Sequence, residues 1–127
     1  METMLICIPS YSRLGCMDEI LPDDSSLAFV TGDYSVQSYL KSRGFKTIYF
    51  IRQNAHYVLI HEPIARVLLL EDKIAETCKL MEILKASVRA PITVITKKAN
   101  YPAKLYELLG AKHVFYSKQD NVKFLIQ

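Results

Sequence analysis

The sequence lacks any long hydrophobic run. Its longest uninterrupted aliphatic stretch is Val67-Leu68-Leu69-Leu70, far short of the roughly 20 apolar residues that a membrane-spanning helix needs. No charged-then-apolar leader opens it, so a soluble, cytoplasmic protein without direct membrane insertion is expected. Cysteine is scarce and odd in number: Cys7, Cys16 and Cys78 have no C-x-x-C spacing. That excludes the usual zinc and redox patterns and fits buried thiols in a reducing compartment. Charge of one sign is not concentrated either. The net charge of +3 is spread along the chain, and Lys97-Lys98 is the only adjacent Lys/Arg pair, so no nucleic-acid partner is expected. There is no P-loop and no G-x-S-x-G elbow. His56, His61 and His113 form no metal-ligand spacing with each other or with a cysteine, and each is expected at the surface or at a strand end. No catalytic site is expected, and the chain is read as no enzyme. Repeats, low-complexity tracts and linkers are also missing. With 127 residues, half of them hydrophobic, the chain can bury one core and reads as a single domain over 1–127.

What is present is an alternation of strand-like and helix-like segments. Met4 to Pro9 is a short apolar run of strand type, and Tyr11 to Leu21 can form a short helix that Pro22-Asp23-Asp24-Ser25-Ser26 ends. Leu27-Ala28-Phe29-Val30 reads as a second strand, Gly32-Asp33 as a turn, and Ser35 as the N-cap of a helix stopped by Gly44. Thr47 to Ile51 is β-branched and aromatic, a third strand, and a short helix from about Asn54 to Glu62 is expected after it.

Arg66 to Leu70 reads as a fourth strand ending at Glu71-Asp72, and Ile74, Cys78, Met81 and Leu84 then recur at helical spacing. Pro63 to Ala86 can also be drawn as one long helix. The strand is preferred, because that helix leaves Leu68 and Leu69 off its apolar side. Ile92 to Thr96 is a fifth strand, Pro102 and Gly110 bracket a helix, His113 to Tyr116 makes a sixth strand, and a last helix is expected to start before Gln127. Solidly apolar strands alternating with helical segments predict a doubly wound α/β fold: a mostly parallel, six-stranded Rossmann-like sheet between helices, in three layers.

In this order of elements, Ser10-Tyr11-Ser12-Arg13-Leu14-Gly15 resembles the G-Y-G-R-V-G-like turn of the regulator-of-potassium-conductance family, whose fold is that of the TrkA N-terminal domain. Asp33 stands about 18 residues beyond Gly15, where that family carries an acidic residue after its second strand. Arg66 to Asp72 is similar to the family's "ADAVIVATDD" strand. Ala90 to Thr96, Leu105 and Leu109-Gly110-Ala111-Lys112-His113-Val114 resemble its "iIaR…L…aGAdhVi" ending. The resemblance implies a non-enzymatic regulatory domain: a homodimer or larger ring that contacts the cytoplasmic side of a potassium channel or transporter.

The turn departs from the family where its chemistry matters. In the intact motif the first glycine permits the tight turn, the second admits the pyrophosphate and the third lets helix and strand pack closely. Only Gly15 remains. A β-carbon and hydroxyl at Ser12 occupy the pyrophosphate's space, and Ser10 has to avoid the positive φ that glycine takes freely. Binding of NAD or another adenine nucleotide is therefore disfavoured, although two serine hydroxyls can still donate to a small anion, with Arg13 beside them. Asp33 can accept from ribose hydroxyls or act as a turn residue. Arg52 can reach a phosphate across the sheet edge or simply be solvated. Glu71-Asp72 can hold a cation or a ribose, or start the next helix.

Two further readings stay open. One is a receiver-like or pseudo-receiver signalling domain, in which Asp72, Thr96 and Lys118 stand for the acceptor, hydroxyl and lysine, although the acidic pair after the first strand is missing. The other is an adenine-nucleotide sensor that uses Asp33 and the opened turn. Strand order separates the two folds: 3-2-1-4-5-6 for a Rossmann-type sheet, 2-1-3-4-5 for a receiver.

Overall fold

The computed structural model describes residues 3–17, 20, 22, 26–97 and 101–117. Six strands make one sheet: β1 (Thr3–Cys7), β2 (Leu27–Thr31), β3 (Ile48–Phe50), β4 (Ile64–Leu70), β5 (Ile92–Thr96) and β6 (His113–Tyr116). Their order is β3-β2-β1-β4-β5-β6, and every neighbouring pair is parallel. This is the Rossmann-like α/β order and not the five-stranded receiver order.

Central strands are apolar on both faces, and that is why they read as continuous runs. Every residue of β1 and β2 is buried, and alternate residues divide between two cores. Met4, Ile6 and Ile8 join Phe29, Leu68 and Leu70 in one. Leu5 and Cys7 join Val30, Val67, Leu69 and Val94 in the other. Four helical segments among the described residues contribute to these cores. Leu14 and Met17, of a 3-10 helix over Tyr11–Met17, and Val36 and Leu40, of α1 (Tyr34–Ser42), belong to the first. Leu80, Met81, Ile83 and Leu84 of α2 (Ile74–Ser87) and Tyr106 of α3 (Ala103–Leu108) belong to the second. Each large aliphatic side chain buried this way contributes roughly 1.5–3 kcal/mol. Gly44 (φ 92°) and Gly110 (φ 117°) take the left-handed backbone that closes α1 and α3. No helix among the described residues is long and apolar enough to cross a membrane.

Several expectations need correction. Ile64–Leu70 is a strand paired on both sides, which removes the long-helix alternative for Pro63 to Ala86. The segment after β1 is a 3-10 helix ending at Met17, and the rest of its expected span lies mostly outside the described residues, as does the expected last helix. The N-cap of α1 is Asp33, not Ser35.

No helix forms between Asn54 and Glu62. Asn54 adopts a left-handed φ of 68°, which interrupts helix propagation. The amides that follow bond to other elements instead: Val58 N–H donates to Ser87 Oγ at 2.9 Å and His61 N–H to the Tyr49 hydroxyl at 3.3 Å. Ala55, Val58 and Ile60 meanwhile pack on the second core. All three histidines are exposed. Cys7 is fully buried, and burial pushes its thiol well above the usual range, so it is an inert core residue. Cys78 is only partly buried.

Candidate functional site

The sheet order reverses between β1 and β4, so the carboxyl ends of these two strands flank the crevice where open α/β sheets collect ligands. Ser10, Ser12 and Arg13 follow β1, Glu71 and Asp72 follow β4, and Thr96 and Lys97 end or follow β5. Register brings them together, since Cys7 pairs with Leu69 and Leu70 with Ile95.

The two serines meet a carboxylate. Ser10 Oγ donates to Asp72 Oδ2 at 2.8 Å, Ser12 Oγ to the same oxygen at 3.3 Å, and the two hydroxyls are 2.8 Å apart. The chain thus places its own anion against the hydroxyls that the sequence offered to a foreign one. Arg13 is buried at 4% exposure, and its Nη2 donates to the Ile95 carbonyl at 3.3 Å. Gly15 lies exposed in the 3-10 helix. Behind Asp72, the buried Glu71 accepts from Thr96 Oγ1 at 2.7 Å. Burial, followed by the charge of Glu71, raises the pKa of the Tyr106 phenol. A cavity of about 150 Å³ opens among Ser12, Arg13, Glu71, Asp72 and Lys97.

Asp33 stands at the other end of the arrangement. Its Oδ1 accepts from the amides of Ser35 (2.7 Å) and Val36 (3.4 Å), and its own amide donates to Thr31 Oγ1 at 3.1 Å. An extended residue with a short acceptor side chain is what a helix start requires. Asp33 also lines a larger cavity of about 580 Å³ whose apolar walls include Ile51, Leu80 and Ile83, with Arg52, Glu76 and Lys79 around them. Tyr34 and Phe50 stack beside it, ring centres 4.5 Å apart. Its volume lies in the range of small-molecule pockets.

Glu76, in the first turn of α2, is in an exposed position. Even so, partial burial and then repulsion from Asp72 raise its pKa, Lys73 opposes the shift, and Asp33 adds to it. The charges of Asp72 and Asp33 thus both act on Glu76.

The residues singled out from the sequence fall into two groups. Ser10, Ser12, Arg13 and Asp72 converge at the β1–β4 seam, while Asp33 and Arg52 line the larger cavity. Among the described residues no His/Cys/Asp/Glu group is arranged to hold a metal ion. Lys118, the lysine of the receiver reading, lies outside the described residues. Sequence reasoning missed Tyr34, Phe50, Glu76 and Lys79 as lining residues. For Tyr34 and Phe50 the available signal was position, since both lie near the carboxyl ends of adjacent strands. The chain matches no protein-family model and no curated protein.

Proposed function

We propose that this chain is a non-enzymatic regulatory domain of three-layer α/β/α architecture, resembling the cytoplasmic potassium-conductance-regulator domains, with dinucleotide binding impaired at its first turn. The observation that carries this reading is the Asp72 carboxylate held by Ser10 and Ser12. A diphosphate entering that turn has to displace the carboxylate or sit beside it. Two like unit charges 4 Å apart repel by about 4 kcal/mol at an effective permittivity of about 20, enough to weaken binding by about three orders of magnitude. The domain would act in the cytoplasm as a homodimer or larger assembly on a channel or transporter subunit. Its mechanism would be population shift by an effector that prefers one assembled state.

A second reading, an adenine-nucleotide sensor, draws support from Asp33. Its cap bonds use Oδ1 alone, which leaves Oδ2 to face a ribose in the larger cavity. Isothermal titration with NADH, ATP and ADP separates the two. The regulatory reading expects no saturable heat for any of them at millimolar ligand. Micromolar uptake overturns it, and loss of that uptake in Asp33→Asn would establish the sensor.

A further inference from the structure

Four charged side chains line the larger cavity: Asp33, Arg52, Glu76 and Lys79. Three of them are answered from within the chain. The first amides of α1 hold the Asp33 carboxylate, where the dipole of the helix also favours negative charge. Glu76 feels the charges of Lys73 and Lys79 on either side of it along the chain. Arg52 is the exception. Pairing of β2 with β3 reaches Thr31 and Phe50, so Asp33 and Arg52 leave neighbouring strand ends. Even so, among the described residues no carboxylate bonds to or pairs with the exposed Arg52 side chain.

The walls around that cation are flat and apolar. Tyr34 is 73% exposed, yet its ring is stacked on Phe50 with the planes 27° apart. An aromatic ring fixed this way offers a stacking surface at little further cost in side-chain freedom. Buried Ile51, Leu80 and Ile83 complete the lining. Gly32 faces the same space, and neither conformation nor crowding requires a glycine there. Its φ is not left-handed, and an added Cβ would meet only Ile51, with O at 3.6 Å and Cβ at 3.8 Å. The missing side chain keeps the cavity open.

We propose that this cavity binds a planar, bicyclic aromatic monocarboxylate, with its rings against Tyr34 and the aliphatic wall and its carboxylate on Arg52. The guanidinium fork matches a carboxylate in shape as well as charge. A phosphate brings about −1.5 to −2 charges and so meets up to about twice the repulsion from Asp33 and Glu76 that a carboxylate meets. An organic cation would set a like charge beside Arg52 and leave it unanswered. The volume of about 580 Å³ equals about nineteen water-sized groups at ~30 Å³ each, room for two fused rings, whereas a single ring leaves much of it wet. The inference deepens the regulatory reading by supplying its effector. It rests on that reading for the consequence of binding, not for the binding itself.

The test is calorimetric titration of the full chain with 2-naphthoate. Its neutral isostere 2-naphthamide, its saturated analogue decahydro-2-naphthoate and AMP are the controls. The aromatic acid is expected to bind at least about tenfold more tightly than any of the three. Arg52→Gln, at an exposed position, should bring 2-naphthoate down to the affinity of the amide and leave the amide unchanged. Gly32→Leu, which fills the cavity from its floor, should weaken both by about tenfold or more. Circular dichroism checks that each variant folds, and Arg52→Gln alone suffices if Gly32→Leu does not. Equal affinity for acid and amide would show that Arg52 is merely solvated and overturn the proposal. So would equal affinity for the saturated acid, AMP binding as tightly as 2-naphthoate, binding that Arg52→Gln does not change, or no saturable heat up to about 1 mM. NADH uptake that 2-naphthoate does not displace would overturn the nucleotide-free reading and leave this proposal standing.

Discussion

Asp33 belongs to two structures at once, the start of α1 and the rim of the larger cavity. Its cap bonds to Ser35 and Val36 satisfy amides that α1 cannot satisfy internally. Asp33→Ala should therefore lower stability by about 1 kcal/mol, within the ~0.5–2 kcal/mol range of lost caps, while Asp33→Asn, which keeps an acceptor, should change it by a few tenths. Urea unfolding reads this as a lower midpoint in Asp33→Ala with an unchanged slope. Equal midpoints for both variants would mean that the carboxylate acts only at the cavity. The place of Asp33 was legible from its distance to Gly15 and from the Gly-Asp turn chemistry. The partner of Ser10 was not, because Asp72 lies 62 residues away. Nothing near Ser10 in the sequence marks that pairing, which exists only because β1 and β4 are neighbours in the sheet.

At the scale of elements, β1, β2, β4 and β5 were legible because each is a short apolar run with turn residues close by, and α3 because Pro102 and Gly110 bracket it. The segment between β3 and β4 was misread as a helix. Its apolar residues face a core, as a helix's would, but its amides are satisfied from a distance. Ser87 is the main tie: its Oγ accepts from Val58 N–H at 2.9 Å and donates to the Ile83 carbonyl at 2.6 Å. Ser87→Ala leaves a part-buried amide without its acceptor, a loss of about 1–3 kcal/mol if no water replaces it. The expected signature is local. Hydrogen exchange at Val58 should accelerate by about tenfold or more, while α2 amides keep their protection. Uniform acceleration across α2 would instead show that Ser87 supports the helix and not the segment beside it.

Across the whole molecule, stability should follow sheet position. β1 and β4 lie between two partners each, and β1 is buried along its length. β3 is three residues long and only partly buried, and β6 exposes three of its four residues. Edge strands with fewer apolar contacts open at lower free energy than the strands they flank. Amides of Leu5 to Cys7 and Leu68 to Leu70 should therefore exchange only through global unfolding. Those of β3 and β6 should exchange at least about tenfold faster, a gap of about 1.4 kcal/mol or more. This gradient bears on function because the two cavities sit on different parts of it. The seam cavity hangs from β1, β4 and β5, close to the most protected strands, so a ligand there meets walls already in place and should change exchange little beyond its own lining. The larger cavity borders β3 through Phe50, Ile51 and Arg52, at the soft edge, so a ligand there should slow exchange of β3 while leaving β1 unchanged. Native-state exchange with and without ligand reads both effects. Equal protection of β3, β6 and β1 in the free protein would mean that the sheet opens as one unit, and occupancy of either cavity would then raise protection everywhere at once.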